Sequence, residues 1–512
     1  MGNKDDKAKE VKKSRFLKLL MEAPHVKMSC IAVSRSEYWD KVYACWLGKN
    51  IGGTLGAPFE GKKFVNDLDF YATRVSEAAP NDDLDFQLVW LRMLEDHGVD
   101  VKLEKLAEYW LKHLSAYPWN EYGFCQRNLR RGLLPPVSGC FENYYVDEMG
   151  SPIRSEIWAC IAPANPQLAA SYAWKDSCLD HSGGEGMYGE MFWAAVESAA
   201  FVINDIETLI RIGLNMIPIY SQISRVIREA LWCYRNNVRW AEARERIVYW
   251  YGHNSACHAV QNHGFTILGL LYGRDFGDKL CKAVNCGYDT DCTGATLGSL
   301  LGILLGTKGI PDKWRKEVGD KIILHKYTRL DDAPKTVAEL TDRVMTVAEK
   351  VLEKNPSVKF GEHTVIPENC VTLLMRNELA MGLLKNDVQS SVRSVGDYEV
   401  WLHYNGEPVI YPGVGKILGV RVLKDNKETN LAVRLRAPPE WRVLELEKMF
   451  GQKRFMVEAS KVEDINKLSV EFENTTTHFI ILGPGEAEGY PSGKNVPTCP
   501  VCHGYQGHCI CV

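Results

Sequence analysis

Two clusters of acidic residues give the clearest chemical signal in the chain. The segment "NDDLD" runs from Asn81 to Asp85, and "GYDTDCTGA" follows from Gly287 to Ala295, about two hundred residues later. A single acidic cluster is typical of a helix N-terminus, where Asp accepts hydrogen bonds from free N–H groups. The second cluster, however, leads directly into a Gly- and Ala-rich apolar helix. We therefore expect its carboxylates to be buried, which is costly unless they are paired or bind a cation.

If both clusters meet in one helical core, they bring four or more negatively charged oxygen ligands together. A hard divalent cation is the simplest way to neutralise them, because carboxylate oxygens are the ligands that such cations prefer. Oxygen-only ligands favour Mg²⁺ or Mn²⁺ over Zn²⁺. The two clusters thus predict a divalent cation site.

A glycine-spaced segment precedes the first cluster. In "LGKNIGGTLGAPFEG", Gly48, Gly52 and Gly56 are four residues apart and share one face of a predicted helix. Pro58 ends or kinks this helix, and Glu60 follows in the bend. Glycines at this spacing most often indicate close helix packing. The acid that follows them lies on a loop at a helix end, where active-site groups concentrate.

Together, in this order, the three motifs resemble those of the ADP-ribosylglycohydrolase family, over about residues 38–350. The segment "GKNIGGTLGAPFE" is similar to the family's glycine-spaced helix that ends in Glu. "NDDL" is similar to its early Thr-Asp-Asp-Thr motif, and "GYDTDCTGA" to its late Gly-x-Asp-Thr-Asp-x-x-Gly-Ala motif. The resemblance implies an orthogonal helical bundle with a dinuclear Mg²⁺ or Mn²⁺ centre. It also implies that Asp82, Asp83, Asp289 and Asp291 are metal ligands and that Glu60 is a mobile acid beside the metals.

Two departures from the family motifs affect the predicted ligand set. Asn81 and Leu84 stand where the early motif has Thr; Asn81 offers a carbonyl oxygen, whereas Leu84 offers no ligand atom. Cys292 stands where the late motif often has Thr, and a thiol is a poor partner for Mg²⁺. We predict Glu60, Asp83 and Asp291 as catalytic residues. The predicted metal ligands are Asn81, Asp82, Asp83, Asp289, Asp291 and Cys292.

Two further segments are candidates for substrate binding. "EMGSPIRSEIW" occupies the chain position of a Gly-rich loop in such enzymes, and Gly150, Ser151 and Arg154 would hold a pyrophosphate at a helix N-terminus. The alternative is a Pro-initiated helix with an ordinary surface Arg. "DHSGGEGMYGEMFWAA" is a second Gly-rich loop, and its predicted substrate contacts are His181, Gly183, Gly184 and Tyr188. His181 is alternatively a capping or core residue, and Trp174 and Tyr188 are alternatively structural aromatics.

The elements that position these residues follow from hydrophobic periodicity. From about residue 38 to 352 apolar residues recur every three or four positions, which predicts packed amphipathic helices. Short alternating runs follow, such as "YEVWLHY" and "LSVEFE", and predict an antiparallel sheet domain. We therefore predict a mainly α chain with four parts: a basic flexible leader (1–35), an all-α catalytic domain (36–355), a β-rich, sandwich-like accessory domain (360–485), and a Pro/Gly linker with a Cys/His tail (486–512).

The C-terminal tail is a possible second metal site. "CPVCHGYQGHCICV" contains Cys499, Cys502, His503, His508, Cys509 and Cys511, and resembles half of a zinc knuckle with a short loop, so it is a candidate Zn²⁺ ligand set. Cys-x-x-Cys-His is also the haem-attachment pattern, which we discount because no export signal precedes it. The remaining alternative is an oxidation-prone tail without a metal.

Composition excludes several other classes of function. The 512 residues carry 61 basic and 65 acidic side chains, a formal net charge of -4, which argues against a main task of coating nucleic acid or an anionic membrane. No apolar run is long enough to span a bilayer. The other cysteines are mostly scattered singly, as in reduced cytoplasmic proteins.

The sequence therefore predicts a divalent-metal-dependent glycohydrolase that cleaves an ADP-ribosyl or related ribosyl glycosidic bond in a small molecule or an ADP-ribosylated protein. One alternative is hydrolysis of a different N- or O-glycoside on the same fold. Another is a non-catalytic structural or binding relative. Retention of Glu60 and the aspartates favours an enzyme, since a structural protein has no need of buried charge.

Overall fold

The computed structural model describes residues 30–117 and 119–485. The first part of the chain is helical, and a region rich in strands follows it. The α-helices are α1 (Arg35–Gly56), α2 (Asp82–His97), α3 (Leu103–Tyr109), α4 (Asn120–Arg130), α5 (Ser155–Ile161), α6 (Pro166–Ser177), α7 (Glu185–Ala200), α8 (Ile206–Leu214), α9 (Gln222–Arg235), α10 (Trp240–Tyr251), α11 (Ala259–Tyr272), α12 (Phe276–Val284), α13 (Thr290–Gly309), α14 (Asp312–Val318), α15 (Val337–Glu353), α16 (Cys370–Leu374) and α17 (Glu378–Leu383). Among the described residues, no helix is both long and apolar enough to cross a membrane.

The strands are β1 (Ile31–Ser34), β2 (Val358–Gly361), β3 (Ser390–Val395), β4 (Tyr398–His403), β5 (Lys416–Lys424), β6 (Lys427–Glu428), β7 (Val433–Arg436), β8 (Arg442–Met449), β9 (Gln452–Glu458), β10 (Ile465–Phe472) and β11 (Thr475–Leu482). Strands β3 to β11 form two antiparallel sheets, one in the order β3-β4-β5-β9-β8 with β6 on β5, the other in the order β11-β10-β7. Side chains from both sheets, such as Val400, Phe455 and Phe479, share one core. The described chain is therefore mainly helical with a C-terminal β-sheet region, as predicted.

The boundaries of the parts differ from the sequence prediction at two places. Residues 31–35, assigned to the flexible leader, form buried strand β1 and the start of α1, because β1 pairs in parallel with β2. The sheet region begins at Ser390 and not at 360, because α16 and α17 bury Leu374 and Ala380 in the core of the helical part. Residues 1–29 and the linker and tail over 486–512, including the proposed Zn²⁺ ligands, lie outside the described residues.

Helices α1 and α13 pack with their backbones in contact. A Cβ atom on Gly48 would lie 2.0 Å from the carbonyl oxygen of Gly298, and one on Gly52 would lie 1.8 Å from that of Gly294. A Cβ atom on Gly56 would lie 2.1 Å from the carbonyl oxygen of Thr290. As the residue number rises along α1, the number of the contacted residue falls along α13, so the helices are antiparallel. The C-terminal end of α1 therefore lies beside the N-terminal end of α13.

This contact brings Glu60 and the late acidic motif together. Glu60 follows the short 3₁₀ turn Ala57–Phe59 at the end of α1. The backbone N–H of Gly61 donates to the carbonyl of Tyr288 at 2.9 Å, and the N–H of Tyr288 donates to that of Lys62 at 2.7 Å. Gly287 has φ 77°, and a Cβ there would lie 2.3 Å from the Phe64 carbonyl oxygen, so this close approach also requires glycine.

Substitution of Gly52 tests the helix contact. Gly52→Ala should lower the free energy of unfolding by about 3 kcal/mol, because the added methyl group meets backbone atoms that cannot move independently. The matched control is Gly382→Ala in α17, where a Cβ would find nothing within 4 Å. That variant should gain about 0.5 kcal/mol from helix propensity. Urea unfolding measures both; equal stability of the two variants would contradict the packing described.

Candidate metal and substrate site

A cavity of about 350 Å³ opens where the C-terminal end of α1 meets the N-terminal ends of α2 and α13. Its walls combine carboxylates, thiols and aromatic rings. The lining residues are Ala57, Glu60, Gly61, Pro80, Asn81, Asp82, Trp119, Glu121, Tyr122, Met149, Gly150, Ile153, Cys257, Asp289, Asp291, Cys292 and His325. The acidic residues of all three sequence motifs therefore meet at one place.

The possible ligand atoms fall into two groups. In the first group, one atom each of Glu60, Cys257 and Asp289 lie within 4.8 Å of one another. In the second group, atoms of Asp83, Asp291 and Cys292 meet the same condition. Asp82, the first residue of α2, lines the cavity. Two adjacent groups of three donors can hold two cations.

Burial makes the charge of these carboxylates costly. The side chains of Asp83 and Asp291 are 1% and 7% exposed, and Oδ1 of each has no hydrogen-bond partner among the described residues. Burial, followed by the neighbouring Glu60 and Asp289, raises the pKa of Asp291 well above its usual range. Burial also raises the pKa of Asp83, against the opposing effect of Lys49. Buried carboxylate oxygens without donors fit a site built for cations.

Lys49 and Gln87 connect Asp83 to the buried Glu156. The Nζ of Lys49 lies 3.8 Å from Oδ1 of Asp83 and donates to Oε1 of Glu156 at 2.8 Å. The side-chain amide of Gln87 donates both to the backbone carbonyl of Asp83 and to Oε2 of Glu156. This buried network orients the Asp83 carboxylate, as the outer partners of metal ligands commonly do.

Asn81, a predicted metal ligand, lines the cavity and also caps helix α2. Its Oδ1 accepts a hydrogen bond of 2.9 Å from the backbone N–H of Asp83, so Asn81 is the N-cap of α2. Its Nδ2 lies against α1, 2.7 Å from where a Cβ of Gly53 would be. Asp289 precedes α13 in the same position but makes no capping hydrogen bond. The capping alternative therefore holds for Asn81 and not for Asp289.

Aromatic side chains form the other wall of the cavity. His325 stacks on Tyr117 at 5.5 Å between ring centroids, and Trp119 lies 6.1 Å from His325 in an edge-on arrangement. The backbone N–H of His325 and the hydroxyl of Thr328 both donate to Oδ2 of the buried Asp85. Burial raises the pKa of Asp85 to about 7, with those hydrogen bonds opposing the shift. Asp85 thus holds the loop that carries His325 against the cavity.

Of the three predicted pyrophosphate contacts, only Gly150 lines the cavity. A Cβ on Gly150 would lie 2.3 Å from Oε1 of Glu121, so the loop passes too close for a side chain. Arg154 is fully buried between Asp176, at 2.9 Å, and Asp180, at 2.8 Å. Ser151 is also buried and donates to Ser177. The predicted phosphate contacts of Ser151 and Arg154 are wrong, because both side chains are committed to the helical core.

The second Gly-rich loop also lies away from the cavity. His181 is fully buried with Nδ1 3.0 Å from Oδ1 of Asp180, which matches the core alternative. Gly183 faces Val388, and Gly184 packs against the backbone of Val146. The half-buried Tyr188 does not line the cavity. The substrate contacts predicted for these four residues are therefore not supported by their positions.

Among the cavity residues that the sequence did not predict are Cys257, Glu121, Trp119 and His325. None belongs to a motif. Trp119 and Glu121 lie together at the start of α4, and Cys257 and His325 come from two other segments that the fold brings to the site. The nearest signal was the segment "HNSACHAV", a Cys between two His residues before an apolar helix. The spacing of these residues does not distinguish a functional site from an ordinary connecting segment.

Removal of one buried carboxylate tests the electrostatics. Because the folded-state pKa of Asp291 is raised, its ionisation opposes folding at neutral pH. Asp291→Asn in EDTA should therefore gain about 1 kcal/mol at pH 7. The gain should vanish below the unfolded carboxyl pKa of about 4, and added divalent cation should no longer raise the melting temperature.

The matched control is Asp180→Asn, a buried carboxylate that pairs with Arg154. Although burial opposes the shift, Arg154 lowers the pKa of Asp180 to about 2. Asp180→Asn should therefore lose about 3 kcal/mol, because it leaves a buried cation partly unpaired. Thermal unfolding with and without cation measures both variants. Destabilisation of Asp291→Asn in EDTA equal to that of Asp180→Asn would show that Asp291 has a structural partner.

The chain is similar in sequence to known proteins. A family model for ADP-ribosylglycohydrolase matches residues 34–352. An uncharacterized protein of Archaeoglobus fulgidus is 24% identical over 329 residues, covering 59% of this chain and 99% of that protein. A solved structure titled ADP-ribosylglycohydrolase-related protein complex aligns with 62% of this chain and 99% of its own, at 19% identity and a TM-score of 0.41. The family match spans more than half of the chain and includes both acidic motifs, and the chain belongs to the ADP-ribosylglycohydrolase family.

Proposed function

We propose that the protein is a divalent-cation-dependent glycohydrolase that cleaves the glycosidic bond of an ADP-ribosyl or related ribosyl group, in a small molecule or an ADP-ribosylated protein. The observation that carries the proposal is the pair of donor groups at one cavity, Glu60, Cys257 and Asp289 beside Asp83, Asp291 and Cys292. The family membership supports hydrolysis of a glycosidic bond. The carboxylates would hold the cations.

The chemistry follows from where the side chains lie. A bound divalent cation would supply positive charge that orients ribose hydroxyls at the anomeric centre. Glu60, exposed at the end of α1, is placed to transfer a proton between water and the leaving group. Asp83 and Asp291 would stabilise positive charge on the sugar in an oxocarbenium-like transition state. Trp119 and His325 offer ring faces for the substrate on the opposite wall.

The non-catalytic alternative accounts poorly for the buried charge. Asp83 and Asp291 each keep a buried oxygen without a donor among the described residues, which opposes folding. A purely structural protein would gain stability by replacing them. The alternative of a different N- or O-glycoside uses the same site and differs only in the substrate, so the assay must compare substrates.

A hydrolysis screen tests the proposal. The full-length protein, loaded separately with Mg²⁺, Mn²⁺ or Zn²⁺, is incubated with ADP-ribosylated Arg, ADP-ribosylated Ser, poly(ADP-ribose) and simple nucleosides. Release of ADP-ribose, lost in EDTA and in Asp291→Asn, is the expected result. Cleavage of only the nucleosides would instead support a different glycosidase. No cleavage of any substrate with any cation would overturn the proposal.

Two substitutions separate proton transfer from substrate positioning. Glu60→Gln should lower kcat at least 100-fold with little change in KM, because the amide cannot transfer the proton. Trp119→Ala should mainly raise KM, by about 10-fold, because it removes one aromatic contact. The matched control is Glu362→Gln, an exposed glutamate outside the cavity, which should leave both constants unchanged. A Glu60→Gln enzyme with full kcat would exclude Glu60 as the acid.

A further inference from the structure

The cavity contains two thiols, and each belongs to a different donor group. Cys257 lies with Glu60 and Asp289, and Cys292 lies with Asp83 and Asp291. Each candidate cation position therefore has one sulfur and two carboxylates. This composition departs from the oxygen-only set on which the expectation of Mg²⁺ or Mn²⁺ rested.

The backbone fixes both thiols at the cavity. Cys292 is in the first turn of α13, directly after Asp291, and its Sγ lies 3.7 Å from Oδ2 of Asp83. Cys257 precedes α11, and its carbonyl accepts a hydrogen bond of 2.8 Å from the N–H of Met149. Two residues later, the N–H of Ala259 donates to the carbonyl of Asp147. The segment that carries Cys257 is thus tied to the loop that forms the cavity wall.

A separate observation indicates that a ligand is expected between these side chains. Oδ1 of Asp83 and Oδ1 of Asp291 are buried without a hydrogen-bond partner among the described residues, although both belong to the group that contains Cys292. A buried carboxylate oxygen without a donor is costly, and a cation is the partner that the three donors share.

We infer that the centre is a mixed carboxylate–thiolate site that prefers a thiophilic divalent cation of the Zn²⁺, Fe²⁺ and Co²⁺ class to Mg²⁺. Thiolate ligands select such cations, whereas Mg²⁺ requires near-octahedral oxygen coordination. Three protein ligands would leave a further coordination position open for a water or a substrate oxygen, as in catalytic zinc sites. Each thiol releases its proton to solvent when the cation binds, and no electron is transferred. The inference rests on the proposed function, because it assigns the cation of the same site.

Cobalt absorption spectroscopy tests the inference, because a Co²⁺–thiolate bond gives a near-ultraviolet charge-transfer band that oxygen ligands do not give. The tail cysteines could produce the same band. The full-length chain is therefore used with Cys499, Cys502, Cys509 and Cys511 all changed to Ser. Metal-free protein is titrated with Co²⁺ and then challenged with Zn²⁺ or with about a thousandfold excess of Mg²⁺.

The expected result is a charge-transfer band that Zn²⁺ removes and excess Mg²⁺ does not. Cys257→Ser and Cys292→Ser should each lose about half of the band, and the double variant should lose all of it. The matched control is Cys370→Ser, a buried cysteine in α16 outside the cavity, which should keep the full band. Circular dichroism checks the fold of each variant, and the band in the parent protein is a test that needs no substitution at the site.

Three outcomes overturn the inference: Co²⁺ binding without a charge-transfer band, a band that persists in the double variant, or displacement of Co²⁺ by Mg²⁺. These outcomes are independent of turnover. A thiolate band with Co²⁺ in a protein that hydrolyses no glycoside would refute the proposed function but support the mixed carboxylate–thiolate site. Hydrolysis with Mg²⁺ and no thiolate band would support the proposed function but refute that site.

Discussion

The backbone contact between α1 and α13 is the constraint on which the site depends. Gly48 and Gly52 allow the two helices to approach until a carbonyl of one occupies the place of a side chain on the other. Thr290 adds a hydrogen bond from its hydroxyl to the carbonyl of Gly56 at 2.8 Å. This approach brings the loop of Glu60 within hydrogen-bonding distance of Tyr288 and places Asp289 and Asp291 beside it. Bulkier residues would separate the helices and open the donor groups.

The buried polar groups of the helical part serve two different purposes. Arg154 is enclosed by Asp176 and Asp180, and although burial alone would raise the pKa of Asp180, Arg154 lowers it to about 2. That network pairs its carboxylates with a buried cation of the protein. Lys49 lies 3.8 Å from Asp83, but Glu60 and Asp289 add further negative charge beside Asp291. The difference marks one cluster as structural and the other as a site whose balance requires a ligand.

Much of this arrangement could be predicted from the sequence, because its cause is local. The four-residue glycine spacing predicts close helix packing, Pro58 predicts the bend before Glu60, and the apolar run after Asp291 predicts buried carboxylates. The family resemblance predicted that these segments form one site. The resemblance itself was confirmed by the family match. The alternation of apolar residues likewise predicted an antiparallel, sandwich-like region from about 360, although its strands begin at Ser390.

The remaining features depend on tertiary structure that no local pattern encodes. A Pro-initiated turn followed by Arg has the same sequence whether Arg154 binds a phosphate or two buried aspartates. The Gly-rich sequence around His181 likewise does not indicate whether that side chain lies at the surface or in the core. Cys257, Trp119 and His325 come from three separate connections, and only the packed helices bring them to one cavity. Cys292 was already a predicted ligand because it lies in the late acidic motif, whereas Cys257 could be assigned only from the structure.

Anomalous X-ray diffraction from crystals grown with Zn²⁺ would locate cations in the cavity without reference to activity. We expect two anomalous peaks, one bound by Asp83, Asp291 and Cys292 and the other by Glu60, Cys257 and Asp289. A cavity without anomalous peaks, with Asp83 and Asp291 hydrogen-bonded to protein groups instead, would contradict that expectation.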